Sequence, residues 1–257
     1  MVKILELRSG PLTIRQSPEG QPRPAGFYFG RDGFHGWDDG VTMRSDTVAR
    51  PQAHGDFDSP GFLAGRLVPM SGWCLASTPR ELEQYRDLFT GHGADGGKFP
   101  VVVERNGRTL RGTARLAAGT SPSFVDVGNG RRAAWSASWW FPDPRKYGEP
   151  FAFGPAASVQ VTHRGNFPAQ PVLQVAGAAP GGYTITGPGG RQIIVTRALA
   201  AGQPHRFDTR DGRLYVGGSR VLGGVSRADL FTLPPGLSTV TVNGGLPLTV
   251  LGETTYL

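Results

Sequence analysis

One stretch of the sequence has the glycine spacing of a phosphate-binding loop. The segment GHGADGGK contains a G-x-G-x-x-G pattern at Gly91, Gly93 and Gly96, with Lys98 close behind. Such a loop binds phosphate when a strand precedes it and a helix follows, because the helix N-terminus then points at the anion. Here a helix pattern ends in the glycines and a strand pattern follows, and Phe99 stands where a P-loop needs serine or threonine. We interpret the segment as the exit of a helix.

The residue types that bind metals are scattered along the chain. The five histidines are His35, His54, His92, His163 and His205. None has a second histidine or a cysteine nearby in sequence, so no zinc-binding pattern is present. Asp56 and Asp58 could supply oxygen ligands, but a calcium-binding loop needs more ligands and a closing glutamate. The sequence therefore predicts no metal and no other cofactor.

Candidate nucleophiles and catalytic acids also lack partners in the sequence. The single cysteine, Cys74, lies in the apolar stretch SGWCLAS, which is typical of a small buried side chain. No G-x-S-x-G pattern marks a hydrolase serine. Carboxylates that converge only in the folded chain would give a wall-degrading enzyme, and Asp56, Asp58 and Asp143 are the acids to test for it. Apart from this alternative, the sequence predicts no enzyme.

The composition is that of a globular protein with many turns. Of the 257 residues, 39 are glycine and 22 are proline, which favours short strands joined by turns. The formal net charge is +7, which would suit phosphate or acidic partners. However, the basic residues are scattered, and only three of the 27 are lysines, so a coding preference for arginine explains the charge as well. No apolar run is long enough to span a bilayer and no signal peptide is evident, so synthesis in the cytoplasm is expected.

One helix is predicted, over residues 79–91. Ser77 or Thr78 can cap its N-terminus, Pro79 suits the first turn, and Glu81 lies near the positive end of the helix dipole. An apolar stripe follows, formed by Leu82, Tyr85, Leu88 and Phe89. The helix should therefore pack one face against a sheet.

Short strand patterns occupy most of the remaining sequence. Asn106-Gly107 has the preferred composition of a hairpin turn. Residues 158–257 contain eight short strand patterns and no helix pattern, which indicates a β-sandwich. The strand SWWF ends at Pro-Asp-Pro, where ladder pairing cannot continue. We therefore predict two domains, 1–150 and 151–257.

Six segments together resemble one protein family. In chain order they are FHGWDDGVTMRSD, the pair HGDF and GFLAGRLVPMSG, WFPDPRKYG, GNFPAQPVLQVAG, HRFDTRDGRLYVGG and LPPGLSTVTV. Their order and spacing are similar to those of the distal tail proteins of long-tailed phages, which form a ring at the tail tip or baseplate hub. The resemblance covers nearly the whole chain.

The resemblance implies a mainly β structural protein of the virion tail tip. The first domain would be a β-barrel-like fold with one helix, and the second a galectin-like β-sandwich. Six copies would close into a ring between the tail tube protein and the tail-tip (hub) protein, and such rings often carry receptor-binding proteins. DNA would pass through the channel without specific binding, and no catalysis is implied.

A ring would also explain a long irregular segment, residues 30–60, which contains one predicted strand near Thr42–Val48. Segments of this kind inside a compact domain are usually functional. Our hypothesis is that it reaches a neighbouring subunit, with Phe34 and Trp37 as buried anchors. The alternative is a loop folded over its own barrel. Arg66 could pair with a carboxylate across an interface or within one subunit.

A different class of function remains open for the second domain. A glycan-binding module or adhesin would stack sugars on exposed aromatic rings, and Tyr183, Phe207 and Tyr215 alternate with polar residues in this region. Core packing is the alternative explanation of these rings. A sandwich fold does not by itself imply sugar binding.

Overall fold

The computed structural model describes residues 5–16, 23–45 and 47–257. The chain divides into two compact units, of which the first ends at Lys146 and the second spans Tyr147–Tyr256. Both units consist mainly of β-strands, and within the described ranges α1 (Pro79–Gly91) is the only α-helix. The mainly β fold with one helix is therefore confirmed. The domain limits at residue 150 stay a prediction.

Within its described residues the first unit contains twelve strands and helix α1. They are β1 Leu5–Ser9, β2 Leu12–Arg15, β3 Gly26–Phe34, β4 Met43–Arg44, β5 Val48–Ala49, β6 Asp56–Phe57, β7 Phe62–Leu63, β8 Arg66–Leu75, β9 Phe99–Arg105, β10 Arg108–Leu116, β11 Ser123–Gly128 and β12 Arg132–Phe141. Four of them, β4 to β7, form two small ribbons that are separate from the main sheet.

The main sheet of the first unit closes on itself. Its strands follow the order β12-β8-β3-β2-β1-β9-β10, and β10 then pairs with β12. The closing pairs are Arg115 with Trp140 and Leu116 with Trp139. All these neighbours are antiparallel except β2 and β3, which are parallel. The result is a barrel, and β11 pairs with residues 132–136 of β12, a part of that strand with which β10 does not pair.

Alternation along β12 directs large aromatic side chains into the core of the first unit, where helix α1 packs on them. In β12, Trp135, Trp139 and Phe141 are buried while Trp140 is 40% exposed. The helix buries Phe89, whose ring lies 5.3 Å from that of Trp135. Because side chains of a strand alternate between its two faces, the aromatic run of β12 serves both the core and the outer surface.

The helix begins and ends where the sequence predicts. The Thr78 hydroxyl accepts a hydrogen bond from the backbone N–H of Glu81, at 3.2 Å. The Glu81 carboxylate in turn accepts one from the backbone N–H of Ser77, at 2.6 Å. This reciprocal cap satisfies N–H groups that lack partners within the helix. Among the described residues no helix is long and apolar enough to cross a membrane.

The second unit is a two-sheet sandwich. Its strands are β13 Lys146–Ala156, β14 Ser158–His163, β15 Val172–Val175, β16 Tyr183–Thr186, β17 Gln192–Val195, β18 His205–Asp208, β19 Arg213–Val216, β20 Ser219–Val221, β21 Val225–Ala228, β22 Gly236–Val242 and β23 Leu248–Tyr256. One sheet has the order β13-β23-β15-β18-β19-β20 and the other β14-β22-β16-β17-β21. A single apolar core containing Leu173, Ile185, Phe207 and Val240 lies between them. The predicted β-sandwich is confirmed.

Two local predictions have different outcomes. The turn at Asn106-Gly107 joins β9 to β10 with φ of 50° and 78°, as a type I′ hairpin requires. The single strand expected over residues 42–48 is wrong, because the structure has two separate two-residue strands, β4 and β5. Each pairs with a later strand, β4 with β7 and β5 with β6. The alternating run VKILEL predicts a further strand over residues 2–7, of which residues 2–4 lie outside the described ranges.

Candidate functional site

The most exposed part of the first unit is an arm, defined here as Met43–Leu63 without residue 46. The ribbon β4–β7 forms its base, with Met43 paired to Leu63, and the ribbon β5–β6 carries Val48 opposite Phe57. Almost every described residue of the arm is exposed to solvent. Its strands have only one partner each, so their outer edges have unpaired backbone groups.

Large apolar side chains cover this arm. Met43 is 57% exposed, Val48 61%, Phe57 53% and Phe62 64%. The guanidinium of Arg50 lies over the Phe57 ring, 5.5 Å from its centre. Single exposed apolar residues are ordinary on protein surfaces, whereas several on one short segment indicate a contact surface.

A buried arginine fixes the segment that leads into the arm. The Arg66 guanidinium donates hydrogen bonds to the backbone carbonyls of Trp37 at 3.0 Å and Asp39 at 2.8 Å, and also to that of Gly36. Its Nε donates to the carbonyl of Pro144, at 3.0 Å. Arg66 is only 3% exposed, and burial lowers its pKa, although nearby Asp38 and Asp39 act in the opposite direction. A buried cation is thus solvated by peptide carbonyls.

A second buried cation lies beside the first. The Lys146 ammonium donates a hydrogen bond to the Trp37 carbonyl at 2.8 Å and lies 5.7 Å from the centre of the Trp37 ring. Burial and, next, the positive charge of Arg66 lower the pKa of Lys146 to about 8. The carbonyl of Trp37 therefore accepts hydrogen bonds from two cations at once, which holds the 36–39 turn against the barrel.

The residues proposed as interface anchors lie at the root of the arm. The Trp37 side chain is 2% exposed and packs on Phe141, with ring centres 5.4 Å apart. Phe34 is half-buried beside it, at 6.4 Å. In the single chain Arg66 contacts carbonyls rather than a carboxylate of its own subunit. This geometry favours a loop folded over its own barrel for residues 35–42, while the role of Phe34, Trp37 and Arg66 at an interface stays a prediction.

The glycine-rich segment after the helix has a structural explanation. His92 packs on the Phe99 ring, with centres 4.4 Å apart, and its Nε2 lies 2.9 Å from the Ser9 hydroxyl. A Cβ at Gly93 would lie 2.5 Å from the Phe99 ring, and the φ of Gly93 is 71°. The Asp95 carboxylate accepts a hydrogen bond from the backbone N–H of Gly97. The segment is a tight exit from the helix, as the sequence indicated.

The other groups considered for chemistry do not converge in the part of the chain that the structure describes. No three histidine, cysteine or acidic side chains there are placed to hold a metal ion. Cys74 is fully buried, and burial raises the pKa of its thiol to about 12. Asp56 and Asp58 are exposed on the arm, and Asp143 forms an ion pair with Arg145, at 2.7 Å.

Two of the three aromatic rings considered for sugar stacking are part of the core. Tyr183 is 4% exposed and Phe207 is fully buried, so neither can form a surface platform. Tyr215 is half-buried and donates a hydrogen bond from its hydroxyl to Asp211, at 2.9 Å. Core packing therefore explains Tyr183 and Phe207.

Comparison with solved structures relates the whole chain to a protein of phages. It is similar to the SPP1 Dit (gp 19.1) protein, presented as a paradigm of hub adsorption apparatus in Gram-positive infecting phages. The TM-score is 0.72 at 14% sequence identity, over 99% of this chain and 100% of that one. This chain has the fold of SPP1 Dit.

Weaker structural similarities are to the activated baseplate of phage P2. The baseplate structure with Ca shares 6% sequence identity with this chain, and the match covers 83% of this chain and 87% of that chain at a TM-score of 0.42. With Sr the identity is 7%, over 82% and 87%, at a TM-score of 0.40. No protein-family model matches the sequence, and neither does any curated protein.

Sequence reasoning missed the two features that define this site. Lys146 was not singled out, although a lysine directly after Pro-Asp-Pro-Arg in a chain with only three lysines is unusual. The apolar residues of the arm were also overlooked, because Val48, Phe57 and Phe62 are separated by turn residues and show no strand period. Their exposure is visible only in the folded chain.

Proposed function

We propose that this chain is a structural protein of a phage virion, the distal tail subunit at the tail tip, and that it has no enzymatic activity. The observation that carries the proposal is the similarity of fold to SPP1 Dit over the full length of both chains. A shared fold that covers 99% of this chain and 100% of that one supports a common structural role. The buried Cys74 and the scattered acids support a role without catalysis.

The proposed location at the tail tip implies which proteins the subunit would contact. The subunit would contact further copies of itself, the tail tube protein on one side and the tail-tip (hub) protein on the other, with receptor-binding proteins attached to its periphery. A closed ring of identical subunits needs heterologous contacts, in which one surface of a copy meets a different surface of the next.

The arm is the surface that we assign to the contact between copies. Its four large apolar side chains, Met43, Val48, Phe57 and Phe62, are each more than half exposed in the single chain. Burying them against a neighbour would remove apolar area from water and cover unpaired strand edges. Arg66 and Lys146 would contribute indirectly, because they fix the root from which the arm extends.

Light scattering coupled to size exclusion tests the ring. The expected mass of the full chain is six times the 27.4 kDa of one subunit.

The double variant Phe57→Asp, Phe62→Asp tests the arm as the contact surface. It would bury carboxylates at the contact in place of aromatic rings, so the mass should fall to that of a monomer while the circular dichroism spectrum stays unchanged. Leu222→Asp is the matched control, since Leu222 is 82% exposed and lies outside the arm. A monomer at all concentrations, without six-fold particles in electron micrographs, contradicts the ring.

DNA would pass through the channel of such a ring without specific binding. A strongly basic lining would bind phosphates and slow the passage of the duplex. We therefore expect the lumen not to be strongly basic, despite the formal net charge of +7. The assembled ring should leave duplex DNA unbound at physiological salt in a fluorescence anisotropy titration. Tight binding that weakens steeply with added salt would contradict a neutral channel.

A further inference from the structure

Among the described residues of the first unit, the large exposed apolar side chains lie on two surfaces. Four of them belong to the arm, and the others belong to the strands β8, β11 and β12. This second group contains Leu67 (51% exposed), Val125 (55%), Val127 (47%) and Trp140 (40%). A closed ring of identical subunits joins one surface of a copy to a different surface of the next, so it needs two contact surfaces per chain. The second group is therefore a candidate for the surface that receives the arm.

The second surface is the side of β8, β11 and β12 that points away from the core, called here the outer face. Burial alternates along β8 and β12, and Leu67 and Trp140 lie opposite each other on the exposed side. Ala134 of the same side is paired with Trp73 in one direction and with Val125 in the other. Trp140 follows Ala134 by six residues, which is about 20 Å along a strand. The outer face thus has an apolar row near each of its ends.

A hollow lined by hydroxyl groups lies between the two apolar rows. Its volume is about 250 Å³, and its lining includes Ser71, Ser136, Ser138, Thr120 and Ser121. Each hydroxyl can both donate and accept a hydrogen bond. The strands of the arm have unpaired N–H and C=O groups along their outer edges, and such groups need partners when they are buried. The hollow provides partners of both kinds.

The outward side of β1 and β9 is covered by ion pairs instead. The Arg8 guanidinium lies 3.4 Å from the Glu6 carboxylate and 3.4 Å from that of Glu104. Glu6 is also 3.2 Å from Arg15. Burying these charges under an apolar arm would remove them from water at a cost in free energy. The arm therefore has a suitable counterpart on β8, β11 and β12 rather than on β1 and β9.

Charged side chains also match between the arm and the outer face. Asp56 and Asp58 of the arm form no ion pair with any described residue, and the same is true of Arg115 and Arg132, which lie at opposite ends of the outer face. Arg50 of the arm lies over an aromatic ring instead of pairing with these acids. Acids on one surface and arginines on the other favour contact between an arm and an outer face. They disfavour contact between two outer faces, where arginines would meet.

We propose that the outer face of one copy binds the arm of the next copy. Each contact in the ring would then bury the exposed apolar side chains of both surfaces together and remove their area from water. The inference rests on the proposed ring and adds to it the surface that receives the arm.

Light scattering on the double variant Leu67→Glu, Val125→Glu tests the receiving surface. Carboxylates at both apolar rows would be buried under the arm without partners, so the mass should fall from that of six subunits to that of one. The circular dichroism spectrum should stay unchanged, because both side chains are more than half exposed in the single chain. Leu237→Glu is the matched control and should keep the wild-type mass, since Leu237 is a 66% exposed strand residue of the second unit.

Mixing two monomeric variants gives a sharper test. The variant Phe57→Asp, Phe62→Asp keeps an intact outer face, and the variant Leu67→Glu, Val125→Glu keeps an intact arm. An equimolar mixture should therefore form a dimer of twice 27.4 kDa and grow no further, because the two surfaces left over are both altered. With a hexameric wild type, the proposal is overturned by a mixture that stays monomeric or by a Leu67→Glu, Val125→Glu variant that keeps the wild-type mass. A monomeric wild type contradicts the ring itself, and the pairing of arm and outer face falls with it.

Discussion

The guanidinium of Arg66 and the backbone carbonyl of Trp37 are joined by a buried hydrogen bond of 3.0 Å. The same guanidinium also binds the carbonyl of Asp39, two residues further on. One side chain therefore closes the 36–39 turn over the barrel and fixes the direction in which the chain leaves for the arm. Since these contacts are all with backbone, they depend on the reach and planar shape of arginine rather than on charge pairing.

Replacing Arg66 with methionine should destabilise the first unit and release the root of the arm. Carbonyls left without donors in a buried site cost free energy, and we expect a loss of about 3 kcal/mol in the free energy of unfolding. Tryptophan fluorescence during urea denaturation measures this in the first unit alone, because all five tryptophans precede residue 141. Proteolysis within the arm should also accelerate. Arg164→Met is the control, and equal stability of the two variants would show that Arg66 does not hold the turn.

Gly36 is required where the chain passes close to strand β8 of the barrel. Its φ is 78°, and a Cβ would lie 2.0 Å from the carbonyl oxygen of Leu67. Gly36→Ala therefore combines an unfavourable backbone conformation with a steric clash, and should cost about 2–4 kcal/mol. Gly40→Ala is the matched control four residues on, since no atom lies within 4 Å of its Cβ position and its φ is not positive. Urea midpoints that coincide for the two variants would contradict the close approach.

The helix and the β9–β10 hairpin were predictable because residues close together in the sequence determine them. The helix follows from Thr78, Pro79 and an apolar stripe, and the hairpin follows from Asn106-Gly107. The closure of the barrel between β10 and β12 could not be predicted, because no residue pattern within either strand indicates which distant strand it pairs with. The fold class of the first unit came instead from the resemblance to a family.

The candidate site was less predictable, for a physical reason. Arg66 binds carbonyls of residues about 30 and 78 positions away, and any residue type offers a carbonyl. Sequence patterns identify side-chain partners, such as acids placed near a base, but not backbone acceptors. Arg66 and Trp37 were therefore singled out as members of an interface, whereas the single chain joins them to each other.

The thiol of Cys74 should be unreactive in the folded protein. It is fully buried on β8, and burial raises its pKa to about 12, so the reactive thiolate is scarce at neutral pH. Ellman's reagent should detect no thiol in buffer and one per chain in denaturant. Rapid reaction without denaturant would mean that β8 opens readily. The Gly36→Ala variant should react faster than the wild type if it loosens the barrel.

Acid should destabilise the second unit through its buried histidine His205. The side chain is 1% exposed and its Nδ1 lies 3.1 Å from the Tyr183 hydroxyl. Burial first, and then the charge of Arg197, lower its pKa below the usual value of 6.5. The folded state therefore keeps His205 neutral, while the unfolded chain takes up a proton as the pH falls below about 6.5. The stabilisation is complete above that pH and declines below it, by up to about 1.4 kcal/mol per pH unit for one histidine.

Far-UV circular dichroism melts between about pH 8 and pH 5 measure this decline. His205→Gln should flatten the pH dependence, because the group that takes up the proton on unfolding is gone. Tyr183→Phe removes the hydroxyl but keeps His205 buried, so it should lower stability at every pH and keep the slope. His163 is buried as well and has a lowered pKa, so the slope in His205→Gln should be reduced rather than absent. A slope that is unchanged in His205→Gln would mean that other groups govern the acid response.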